Sequence, residues 1–208
     1  MTEEGRIAAR FGALLRSAAA ADRSAEAYAG GPARRAWAAA GGARQTPAWG
    51  RLCGVALLRG VRVETTFAEG AYGASGRQGV ASRRLIRVGY GPAWQMAGTL
   101  CHEVCHIVLG HHAQDDRPES DLEAECEAVA CLVLQVVGAG LAAHRAHAAM
   151  YISQVTGGYG AAHLRRLRGR VLAGVAAVLA AYAETEGCPE DSLLAMRWAE
   201  DHAAAQGA

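Results

Sequence analysis

Residues 99–112 read Thr99-Leu100-Cys101-His102-Glu103-Val104-Cys105-His106-Ile107-Val108-Leu109-Gly110-His111-His112. On a helix, His102 and His106 are one turn apart and face the same way. Two imidazoles so placed can hold one tetrahedral Zn²⁺, and Glu103 beside them can take a proton from a water at the ion. This H-E-x-x-H arrangement points to metallopeptidase chemistry. With 8 His in 208 residues, composition gives about 0.02 accidental matches to the pattern. Context agrees. Pro92 suits a first helical turn, where its missing N–H is not needed. Met96, Leu100, Val104 and Ile107 recur at helical spacing, and Gly110 offers a stop. The spacing predicts a mostly buried helix over 92–110. The competing reading is a core helix whose histidines merely find hydrogen-bond partners.

Catalytic zinc usually has three protein ligands, so a third is needed. Residues 120–134 read Ser-Asp-Leu-Glu-Ala-Glu-Cys-Glu-Ala-Val-Ala-Cys-Leu-Val-Leu and begin a second helix after a polar loop. Glu123 and Glu127 share a face, whereas Glu125 is rotated by about 200° from Glu123. Two readings of Glu123 stand side by side. It can be the third ligand, or it can close a capping box with Ser120.

The string Thr-Leu-x-His-Glu-x-x-His-x-x-Leu-Gly-His, followed by a short loop and Glu-x-Glu-x-Glu-Ala-Val-Ala, resembles the ImmA/IrrE metallopeptidases. It is more similar still to the metallopeptidase domain of ArdC-type antirestriction proteins. The resemblance implies a zincin in which Glu123 is the third ligand and Glu127 its acidic neighbour. It takes in Leu52–Gly60 with Val61–Phe67, and Arg84–Tyr90 as the strand before the zinc helix. Downstream, Tyr151-Ile-Ser-Gln-Val-Thr-Gly-Gly158 is similar to an ArdC-type segment, but Val155 stands where an aromatic is usual. Coverage is roughly residues 48–185, with most of the specificity in the two metal helices.

The length suits one sizeable core. Residues 1–47 are read as an N-terminal helical extension and 48–208 as the metallopeptidase domain. The net charge of +1 arises from 21 Arg and no Lys, too little to suggest a large electrostatic footprint on nucleic acid. The acidic start Met1-Thr-Glu-Glu-Gly-Arg does not resemble a signal peptide. The longest uncharged apolar stretch, Ala128–Ala143, falls short of the about 20 residues needed to span a bilayer. A cytoplasmic protein with no membrane partner is expected. The six cysteines read as small buried thiols in a reducing compartment rather than as a disulfide framework. A structural zinc site using Cys101 or Cys105 is disfavoured, because each lies about 100° from its neighbouring histidine on the helix.

The pattern predicts helices over 2–29, 32–42, 47–59, 92–110, 121–137, 143–154, 161–184 and 190–205. Strands are expected at 61–67 and 84–90, with a short irregular one within 69–82. The expected fold is α+β and zincin-like: a small antiparallel sheet packed against the H-E-x-x-H helix and a mostly helical C-terminal part. If residues 84–90 form an edge strand, that strand could pair with an extended substrate. His111 and His112 read as exposed polar residues at a helix end. Arg165, Arg166, Arg168 and Arg170 read as a solvated face over Leu164, Leu167 and Val171. His144 and His147 have no local support as site residues, and Tyr151 reads as a packed helix tyrosine.

The resulting reading is a zinc-dependent peptidase acting on an intracellular, regulatory protein. Zn²⁺ would be held by His102, His106 and Glu123, with Glu103 as general base and Glu127 supporting the ligands. Two rivals are kept. One is an antirestriction or DNA-associated protein of the ArdC kind, although residues 1–47 supply no obvious DNA-binding region. The other is a regulatory scaffold stabilised by zinc, for which Glu103 would be unnecessary.

Overall fold

A computed structural model describes residues 2–23, 47–66, 79–81, 85–89, 93–111, 116–140 and 142–186. The expected helices over 32–42 and 190–205, Pro92, His112 and Cys188 lie outside the described residues. Within them the order is α1 (Glu3–Asp22), α2 (Pro47–Leu58), β1 (Arg62–Thr66), β2 (Gly79–Ala81), β3 (Leu85–Gly89), α3 (Ala93–Val108), α4 (Glu119–Val136), α5 (Ala142–Val155) and α6 (Gly160–Ala183). The chain is α+β, with helices dominating a small sheet.

Helix α4 is the centre of the packing. It is buried along Ala124–Cys126 and Ala128–Leu134, and it touches α1, α3, α5 and α6. A helix enclosed on this scale needs an apolar surface nearly all round, which the run Ala128-Val-Ala-Cys-Leu-Val-Leu134 provides. Its approach to α6 depends on a missing side chain: a Cβ at Gly174 would lie 2.9 Å from Val129 Cγ2. Helix α1 buries Phe11, Leu14 and Ala18 in the same core. Asp22 at its end accepts hydrogen bonds from the N–H groups of Gly160 and Ala161, both at 2.9 Å. It thereby caps the first turn of α6, a contribution of about 1 kcal/mol.

The sheet departs from expectation. Its order is β1-β3-β2; β1 pairs with β3 in parallel, and only β2 pairs with it antiparallel. A parallel neighbour requires a long connection, and residues 67–84 between Thr66 and Leu85 provide one. Within that connection β2 turns back along the far side of β3. The condition for substrate pairing on residues 84–90, an open edge, is therefore not met: β3 is the middle strand. Alternation holds where it was read: Val63, Ile86 and Val88 are buried. On the opposite face Glu64 and Arg87 stand in register and pair at 3.3 Å. Helices α2 and α3 pack against this sheet, which sets α3 between the strands and α4.

Candidate metal centre

Helix α3 delivers its two histidines from a buried stretch. Leu100, Cys101, Val104 and Cys105 are fully enclosed, and His102, Glu103 and His106 are each less than a tenth exposed. The helix ends as Gly110 suggested. Gly110 has φ +74°, its N–H bonds the Ile107 carbonyl, and the His111 N–H bonds the His106 carbonyl at 3.0 Å. This pair of bonds is the Schellman pattern, with a left-handed residue that glycine adopts without a Cβ penalty.

Helix α4 lies alongside and does not use Glu123 as part of a cap. Its N-cap is Pro118, with no side-chain cap, so the Ser120 capping box does not form. Glu123 turns to the histidines instead. His102 Nε2 and His106 Nε2 are 3.1 Å apart. Glu123 Oε2 is 3.3 Å from His102 Nε2, and Glu123 Oε1 is 3.4 Å from His106 Nε2. Zinc–ligand bonds of about 2.0–2.1 Å at tetrahedral angles separate donors by about 3.3 Å. The triangle of His102, His106 and Glu123 thus has the size and donor set that a His₂Glu zinc site requires.

The surrounding groups hold these donors in place. Glu127 Oε2 lies 2.8 Å from His102 Nδ1, so the carboxylate four residues beyond Glu123 reaches the far side of the first imidazole. Helix α5 closes the site from above. Tyr151 donates to Glu123 Oε2 at 2.6 Å, and His147 Nδ1 is 3.5 Å from Glu127 Oε1. Tyr151 is therefore more than a packing residue, and His147 belongs to the shell that sequence reasoning left out. The signal was their four-residue spacing, which puts both on one helix face. His144, on the same helix, is buried against Gly98 of α3.

His111 also overturns its reading as an exposed helix end. It is buried, with Nδ1 3.3 Å from His106 Nδ1 and 3.2 Å from Cys126 Sγ. Glu125, rotated around α4 from Glu123, lies outside the triangle of His102, His106 and Glu123. It is buried and paired with Arg117 and with Arg170 at 3.2 Å. Arg166 makes a two-pronged pair with Asp121 at 2.6 and 2.7 Å. Two of the four arginines read as a solvated face thus fasten α6 to α4, while Leu164, Leu167 and Val171 pack inward as expected. Arg165 and Arg168 remain exposed.

The electrostatics favour a cation. Burial raises the Glu123 and Glu127 carboxyls, but hydrogen bonds from the histidines outweigh it and hold both well below the carboxylate range. Burial alone would lower His102, yet its bonds to Glu123 and Glu127 push it up to about 10. The proton on His102 occupies ground that a metal would take. Raised from 6.5 to about 10, this group stabilises the metal-free fold fully below pH 6.5, and that stabilisation is lost as pH rises through 10. Between pH 7 and 9, apparent zinc affinity should therefore climb about tenfold per unit as the competing proton leaves. Titration calorimetry in buffers of different ionisation enthalpy should show proton release on zinc uptake; pH-independent affinity across that interval would refute the coupling.

The five described cysteines, Cys53, Cys101, Cys105, Cys126 and Cys131, are buried, and none of them is in a disulfide. Burial pushes the Cys105 and Cys126 thiols up; the neighbouring Cys101 adds to this at Cys105, and the nearby carboxylates add to it at Cys126. Among the described residues, no helix is long and apolar enough to cross a membrane. No family model, curated protein or solved structure matches the chain.

Proposed function

We propose that this chain is a zinc-dependent peptidase of the zincin type, hydrolysing a peptide bond in an intracellular regulatory protein. The observation that carries the reading is the donor triangle of 3.1–3.4 Å edges with a buried glutamate, Glu103, directly after the first histidine. His102, His106 and Glu123 would hold the ion. When bound, Zn²⁺ supplies Lewis acidity to a carbonyl and makes water acidic enough to ionise near neutral pH. Glu103 is the general base: it accepts the proton of the attacking water and returns it to the leaving amine. Glu127 fixes the orientation of His102, and Tyr151 steadies Glu123. The resemblance to ImmA/IrrE and ArdC-type metallopeptidases supports the same assignment. The absence of disulfides among the described residues is compatible with a reducing compartment.

The DNA-associated reading draws less support, because Arg166 and Arg170 are engaged by Asp121 and Glu125. The test is to load the protein with zinc, incubate it with a peptide library and read new termini by mass spectrometry. Cleavage that stops on chelation and returns with zinc is the expected result. A fully zinc-loaded protein that cuts nothing in the library would favour the scaffold.

A further inference from the structure

Resting on the zinc reading above, we infer that His111 is a positioning residue for the metal centre, acting as hydrogen-bond acceptor for the Nδ1–H of His106. A histidine that ligates through Nε2 carries its remaining proton on Nδ1, and that proton needs an acceptor to fix the ring. For His102 the acceptor is Glu127, at 2.8 Å. The Nδ1 of His106 faces His111 Nδ1 at 3.3 Å. The tautomers follow from this network. His106 donates from Nδ1, His111 accepts at Nδ1, and the proton of His111 sits on Nε2. That atom lies 3.7 Å from Glu125 Oε2. Glu125 is in turn held by Arg117 and Arg170.

The backbone explains why the acceptor is His111. In the Schellman turn, the second residue past the helix cap folds back over the residue at the start of the last turn. Those two residues are His111 and His106, joined by the 3.0 Å backbone bond. The contact that commonly joins two apolar side chains at this motif here joins two imidazoles, 5.3 Å between centroids and nearly perpendicular.

His106, His111 and Cys126 also lie close enough together to hold a metal ion. Taking a second ion there would strip His106 of both ring protons, because Nε2 already serves the first site. The acceptor role needs no such deprotonation. The buried Cys126 thiol, 3.2 Å away, then acts as a second, weak donor to the same His111 atom.

The experiment compares zinc dissociation constants and bound zinc per chain in the full-length protein for the parent, His102→Ala, His111→Phe, His111→Asn and Cys126→Ser. Phenylalanine keeps a ring but offers no acceptor. Asparagine places a carbonyl oxygen close to where Nδ1 stood, and its two lone pairs can take both donors. His111→Phe should weaken zinc binding about 10- to 100-fold, and His111→Asn should recover most of that loss. Cobalt spectra of the Phe variant should shift as the His106 ring loosens. If both variants bind like the parent, or if both fall equally, His111 is only a packing residue and the inference fails. If the parent takes two zinc ions and Cys126→Ser takes one, the triplet is a metal site and the acceptor role is wrong. If His102→Ala binds zinc like the parent, the metal-centre reading itself falls, and this inference with it.

Discussion

Glu103→Gln is expected to keep the zinc and the fold while lowering peptide cleavage about 10²- to 10⁴-fold, the usual cost of losing a general base. The change is isosteric, so a buried position tolerates it better than truncation. Glu103 lies outside the donor triangle of His102, His106 and Glu123, so the metal should stay. Bound zinc, far-UV circular dichroism and cleavage rate are the three readouts. A variant that cuts the library as fast as the parent would show that Glu103 does not move the proton. The comparison separates the peptidase from a DNA-associated rival if Arg165→Ala/Arg168→Ala is measured alongside. Those two arginines are exposed, whereas changing Arg166 or Arg170 would break ion pairs to α4. The double arginine variant should retain cleavage; salt-dependent DNA affinity that vanished with it would favour the rival.

Removing a ligand has the other large effect. The parent should hold about one zinc per chain, because three donors converge at one point. Either His102→Ala or His106→Ala should take that to zero by elemental analysis. Two remaining donors cannot replace the lost bond, since neither Glu127 nor His111 can swing round without abandoning its own partner. Glu123→Gln should weaken binding strongly, by losing both a charge and a ligand oxygen. Glu127→Gln should cost about 10- to 100-fold through the orientation of His102. Full zinc occupancy in a His102→Ala/His106→Ala double variant would sink the site assignment.

What the sequence disclosed about the site depended on how local the information was. His102, Glu103 and His106 lie within one helical turn, so the chain order itself states their geometry. Glu123 needed a decision between two local chemistries, and no pattern within α4 could make it. A helix start at Pro118, which leaves Ser120 too far inside the helix to cap it, removes the capping reading, and the position of α3 beside Glu123 supports the ligand reading. His111, His147 and Tyr151 were underestimated for a related reason. Each acts on a residue of another element or across a turn, which no pattern within its own helix discloses. Arg166 and Arg170 do lie on a solvated face, as read; what the sequence did not show is that carboxylates about 45 residues earlier in the chain pair with them. For the fold, alternation identified β1 and β3. Strand direction is another matter: alternation is identical in parallel and antiparallel pairs.

The carboxylate of Asp22 reaches the backbone of Gly160 across 138 residues of chain. During synthesis, α1 is complete long before its partner exists, and its apolar face must wait for α5 and α6. Contacts of such long range form slowly, because loop closure precedes the gain from packing. The metal donors lie within about 20 residues of one another on two consecutive helices and can meet early. Their final alignment nonetheless depends on α6, whose arginines clamp Asp121 and Glu125 on either side of Glu123. The two metal helices can therefore meet while the chain is still short, whereas the joining of α1 to α6 must wait until the whole stretch between them has been made.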